Sequence, residues 1–62
     1  MKRLTIYPKD IQIITGRSER YARKLLEKMR LHFNRNKDGL ITIEEFCAYT
    51  GLDYEVVEKR IL

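Results

Sequence analysis

The stretch DIQIITGRSERYARKLL, residues 10–26, decides the fold of this chain. Ile11 and Ile14 lie three apart, the spacing of one helix face. Gly16 supplies the backbone freedom that ends such a helix. Ser18 follows as a good N-cap, its hydroxyl able to accept from a free backbone N–H. A second helix then runs to about Phe33, with Tyr21, Leu25, Met29 and Leu31 or Phe33 near one face and Ala22, Leu26 and Met29 in the adjoining stripe. Upstream, Pro8 suits the first helical turn, where its missing N–H costs nothing. Asp10 lies in that turn, where a carboxylate opposes the positive end of the helix. The stretch predicts two short helices joined by a tight turn.

The same pattern returns further along the chain. A shift of 35 residues sets IYPKDIQIITGRSERYARKLL on ITIEEFCAYTGLDYEVVEKRI. Ile11 then meets Phe46, Ile14 meets Tyr49, and Thr15-Gly16 meets Thr50-Gly51. Chemical class is kept at the apolar and punctuating positions, although few residues are identical. An internal repeat constrains the architecture before any other assignment. Thr42 with Glu45 forms a capping box, Gly51 ends the third helix, and Asp53 caps the fourth, with Val56, Val57 and Ile61 facing inward. The lead-ins RLTIY and GLITI are rich in β-branched residues. They either pair as a small two-stranded ribbon, residues about 3–6 and 40–42, or dock as extended coil.

The expected fold is therefore all-α. Four short helices form two tandem helix-turn-helix units in a single domain over residues 1–62: copy one 4–33, a linker 34–39, and copy two 40–62. A chain of 62 residues buries only about 60% of its unfolded surface and gains from a partner. No apolar run approaches the roughly 20 residues that span a bilayer, and the first residues lack the apolar stretch of a signal peptide. The single cysteine, Cys47, rules out an internal disulfide and suits a reducing cytoplasm. Cys47 reads as a small half-buried apolar residue, and His32 as a surface or boundary residue. No nucleophile–base pair or glycine-rich phosphate loop points to an enzyme, and no cofactor is expected.

Charge is divided unevenly. Residues 1–30 hold nine basic and three acidic residues, a net +6, whereas residues 31–62 hold four and six, a net −2. A basic half can attract a polyanion while an acidic half faces something else.

Residues 10–26 resemble the helix-turn-helix segment of small bacterial DNA-binding proteins, including regulators and excisionase-type factors. In that group an apolar first helix, a Thr-Gly or similar turn and a Ser precede a helix with exposed polar residues at its start. Arg17 departs from the pattern, because an aliphatic residue is usual after the glycine; Leu52 fills that position in the second copy. The resemblance implies sequence-specific binding of double-stranded DNA, in transcriptional or mobile-element regulation. The residues themselves support it, because an α-helix fits the major groove and its N-terminal side chains reach base edges. Here those are Arg17, Ser18, Glu19 and Arg20, with Arg23 and Lys24 one turn on. Lys9, Arg3 and Lys2 are placed to touch the phosphate backbone. The helix of the second copy carries Asp53, Glu55 and Glu58, which repel phosphate. Residues 53–62 are instead expected to form a homodimer contact or a protein-binding surface. A protein-interaction module of the same fold is the first alternative.

A second alternative comes from NRNKDGLITIEEF, residues 34–46, which resembles an EF-hand loop. Ligands at positions 1, 3, 5, 7, 9 and 12 with glycine at 6 correspond to Asn34, Asn36, Asp38, the Leu40 carbonyl, Thr42 and Glu45, with Gly39. The first position of such loops is nearly always Asp, and Arg35 and Lys37 add positive charge, so any calcium site here is expected to be weak. The repeat accounts for the same letters without a metal: Asp10 stands where Glu45 does, and no loop precedes it.

Overall fold

A computed structural model describes residues 4–62 of the chain. The lead-in residue Arg3 and the neighbouring Lys2, both expected beside DNA, lie outside the described residues. Four helices form: α1 (Pro8–Thr15), α2 (Glu19–His32), α3 (Ile43–Thr50) and α4 (Tyr54–Ile61). The all-α class expected from the pattern is what the chain adopts. No helix among the described residues is long and apolar enough to cross a membrane.

Local chemistry sets the helix ends. Pro8 opens α1, and the Asp10 carboxylate accepts from the Tyr7 backbone N–H at 2.9 Å. Gly16, at φ 70°, ends α1 in the left-handed region and donates its N–H to the Gln12 carbonyl at 2.8 Å. Thr42 and Glu45 cap α3 reciprocally, each side chain accepting from the other's backbone N–H at 3.0 Å. The two halves share finer detail. Thr15 Oγ1 donates to the Ile11 carbonyl at 2.7 Å and Thr50 Oγ1 to the Phe46 carbonyl at 2.8 Å. These hydroxyls also accept from the backbone N–H two residues on, of Arg17 and Leu52. The correspondence is local, since α2 has 14 residues and α4 only 8.

Helix α1 packs on α2 and α4, and α3 packs on α4. The core between them holds Ile11, Ala22, Leu26, Met29, Ile43, Phe46, Cys47 and Val57, with Ile6 and Ile41 from the two lead-ins. The lead-ins meet in one isolated antiparallel bridge, Thr5 to Thr42. The Ile6 N–H donates to the Ile41 carbonyl at 2.9 Å and the Ile43 N–H to the Leu4 carbonyl at 2.7 Å. A longer ladder cannot grow toward α1, because Pro8 has no N–H and Thr42 already serves as the cap of α3. The two buried isoleucines, 2% and 1% exposed, matter more than the pairing.

Four apolar assignments change. Val56 is 58% exposed while Val57 is 2% exposed. Successive helical residues diverge by about 100°, so only one of the pair can face the core. Val57 does, in register with Tyr54 and Ile61, both of which pack against the core. Leu31 is 79% exposed for the same reason, lying off the Ala22–Leu26–Met29 stripe. Leu52 is exposed at the chain surface rather than filling an interior slot. Cys47 is fully in the core rather than half-buried. Burial pushes its thiol pKa up, helped by the nearby Asp53 and Glu44 carboxylates, which disfavour a thiolate.

Two measurements check this packing. Phe46 is 0% exposed, and Phe→Ala in a core costs about 3–5 kcal/mol. A 62-residue domain has roughly 3–9 kcal/mol at about 0.05–0.15 kcal/mol per residue. Phe46→Ala should therefore lose a large part of the stability, read as a lower urea midpoint of the helical circular dichroism. In the unaltered chain, Cys47 should react with a thiol reagent many-fold more slowly folded than in denaturant.

Candidate nucleic-acid interface

The turn at Gly16 aims α2 outward. A residue at φ 70° reverses the chain within one peptide, which glycine does without Cβ strain. Ser18 then caps α2, its Oγ accepting from the Tyr21 N–H at 3.2 Å. Arg17 and Ser18, just before α2, and Glu19, Arg20, Arg23 and Lys24 on its first turns are all exposed. The buried stripe of α2 begins only at Ala22 and continues through Leu26 and Met29, so the early charged positions fall on the solvent side.

These residues are not equivalent. The Arg17 guanidinium sits over the Tyr21 ring, 4.5 Å from its centroid. Such stacking is worth about 0.5–1 kcal/mol at an exposed site. Arg23 pairs with Glu19 one turn back, Nε donating to Oε2 at 2.9 Å. Both partners are more than half exposed, and exposed i,i+4 pairs are worth only about 0.3–0.5 kcal/mol. Arg23 can therefore be released to a phosphate cheaply. Glu19 meanwhile cancels one positive charge of the cluster. Lys9, reaching across from α1, lines a shallow depression with Glu19, Arg23 and Gln12. Arg20, Arg23 and Lys24 line the next one along α2, together with Glu19 and Glu27.

Sequence reasoning placed Tyr21 inward and so missed its part in holding Arg17. Lys28, exposed one turn beyond Lys24, also extends the basic edge. Its i,i+4 spacing from Lys24 was the available signal.

The 34–45 segment has its own account. Asn34, at φ 57°, is the only described non-glycine residue in the left-handed region. The Asn34 N–H donates to the Leu31 carbonyl at 3.3 Å and the Arg35 N–H to the Arg30 carbonyl at 2.7 Å. This pair of bonds is a Schellman motif, whose left-handed residue is glycine or asparagine. The asparagine that departs from a calcium loop is thus a helix terminator. Asn36 Oδ1 accepts from the Asp38 N–H at 3.1 Å. A Cβ on Gly39 would lie 2.6 Å from the Arg35 Cβ, which explains a glycine there. Arg30 Nε donates to the Gly39 carbonyl at 2.8 Å. Glu45 uses both carboxylate oxygens, Oε1 on the Thr42 N–H and Oε2 on the Arg35 guanidinium. No group of three or more His, Cys, Asp or Glu side chains is gathered for a metal among the described residues.

The chain matches no protein-family model, no curated protein and no solved structure.

Two expectations follow for this loop. Calcium at on the order of 1 mM should leave the backbone NMR shifts of residues 34–45 in place, because a metal would have to displace Arg35 from Glu45. The Thr42 backbone N–H, and then Arg35, hold the Glu45 carboxyl below its ordinary value of 4.5, against an opposing desolvation effect. A folded pKa lowered in this way contributes stability that is full above the unfolded value and lost as pH falls through the folded one. Urea unfolding across the acid range should show that loss, and Glu45→Gln should be less stable at neutral pH and lack that part of the acid dependence.

Proposed function

We propose that the protein binds double-stranded DNA by laying the N-terminal half of α2 in the major groove. The observation that carries this reading is the cluster of exposed Arg17, Arg20, Arg23 and Lys24 on the first turns of one helix, with Lys9 alongside. No other described helix presents four basic side chains within eight consecutive residues. Arg17 and Arg20 are the candidates for base edges, since a guanidinium pairs bidentately with guanine. Tyr21 orients Arg17. Lys9, Arg23 and Lys24 are candidates for phosphates, which position the helix without reading sequence. Ser18 keeps the helix start in place, and Glu19 is the candidate to accept from a cytosine amino group. Transcriptional or mobile-element regulation in a bacterial cytoplasm is the setting this reading implies.

Fluorescence anisotropy with labelled duplexes tests it. Binding should weaken steeply with salt, by about 0.9 in log–log slope per phosphate neutralised. Lys24→Ala should weaken binding on every duplex and flatten that slope by about one. Arg20→Ala should cost about 1–3 kcal/mol on a selected sequence and relax preference at one base pair. Glu19→Gln should strengthen binding to duplexes of unselected sequence, since it removes the opposing charge. Absence of salt-dependent binding to any duplex from a random pool would sink the proposal.

A further inference from the structure

The surface beside α4 carries apolar residues that no described neighbour covers. Val56 is 58% exposed and Leu52 43%. Leu52 and Asp53, just before α4, and Val56, Val57 and Arg60 on it line one shallow groove with Ile14 and Thr15 of α1. Helix α4 packs on α1 and α3, and Val57, buried, forms the floor of this groove beside the exposed Val56.

Charge is ordered along α4. Asp53 and Glu55 stand at its start, and Lys59 and Arg60 in its last turn. Asp53 and Arg60 are seven residues apart, which puts both on one face, about two turns from each other. Val56 lies between them. Asp53 caps its own helix, accepting from the Glu55 N–H at 2.8 Å. The Arg60 side chain makes no hydrogen bond or ion pair with another described residue.

We propose that this groove docks a second copy of the chain, with α4 antiparallel to its counterpart across a two-fold axis near Val56. The pattern is self-complementary. Antiparallel pairing sets Asp53 against Lys59 and Arg60 of the second copy, and the reverse, while Val56 meets Val56. It also opposes the two helix dipoles. Parallel pairing would set acid on acid and base on base. A head-to-tail contact of α4 with the basic start of α2 would not close on itself, and would place Val56 against charged side chains. An isologous contact closes at two copies and leaves both α2 starts exposed. This association stands apart from DNA binding, and either can fail without the other.

Sedimentation equilibrium of the full chain over a wide concentration range tests it. The expected result is a reversible dimer, with Val56→Glu weakening the association about tenfold or more, as facing carboxylates lose the apolar contact. Circular dichroism shows whether that variant keeps its helices. A second measurement does not depend on it. Val56→Cys should form a disulfide-linked dimer under mild oxidation, whereas Glu55→Cys, turned about 100° away around α4, should do so far less; Cys47 is buried and does not compete. A monomer at every concentration overturns the proposal. So does a dimer that Val56→Glu leaves unchanged while its helices persist, or equal cross-linking at positions 55 and 56.

Discussion

Three left-handed backbone positions organise this protein. Gly16, Asn34 and Gly51 are the described residues with positive φ, and each stops a helix. The lengths of α1, α2 and α3 follow from where these residues stand. With helices of only 8, 14, 8 and 8 residues, little stability comes from helix propensity alone. The termini must therefore be placed so that each helix turns its one apolar stripe to a common centre. Gly16 releases α2 toward solvent with its charged residues first, and Gly51 releases α4 in the same manner. Asn34 bends the chain so that Arg30 reaches the Gly39 carbonyl and Arg35 reaches Glu45.

The same local device yields different surfaces. After Gly16 comes Arg17, which stacks on Tyr21, and then an arginine-rich turn. After Gly51 come Leu52 and Asp53, and then an acidic turn with exposed Val56. The hydrogen bonds around the two turns correspond almost bond for bond. The side chains beyond them differ in charge and polarity, and that difference separates a basic face from one that mixes both charges with exposed Val56. Within the basic face the Glu19–Arg23 pair is too weak to hold Arg23 from a stronger anion. The longer-reaching effect of Glu19 is on net charge.

Much of the candidate site was legible in the residues. Gly16 with Ser18 marked the start of α2, and the density of arginine after it marked the surface. The pairing of Arg17 with Tyr21 was not legible, because Tyr21 also fits the apolar spacing of Leu25. Choosing between ring-on-core and ring-under-arginine needs the position of α1. The loop at 34–45 shows the opposite problem. Its letters carry two consistent local explanations, and only the engagement of Glu45 by Arg35, ten residues away, shows how the carboxylate is used.

The sequence by itself determined the four helices, their caps and their ends, because those depend on residues within about five positions of one another. It also determined the division of charge. Tertiary structure alone decided which of Val56 and Val57 entered the core, that Leu31 and Leu52 stayed outside, and that the lead-ins would bury Ile6 and Ile41 around a single bridge. Each of these outcomes depends on the rotation of one helix against another. That rotation is set by the shape of the shared core around Phe46, Ile11 and Met29, and no spacing along the chain specifies it.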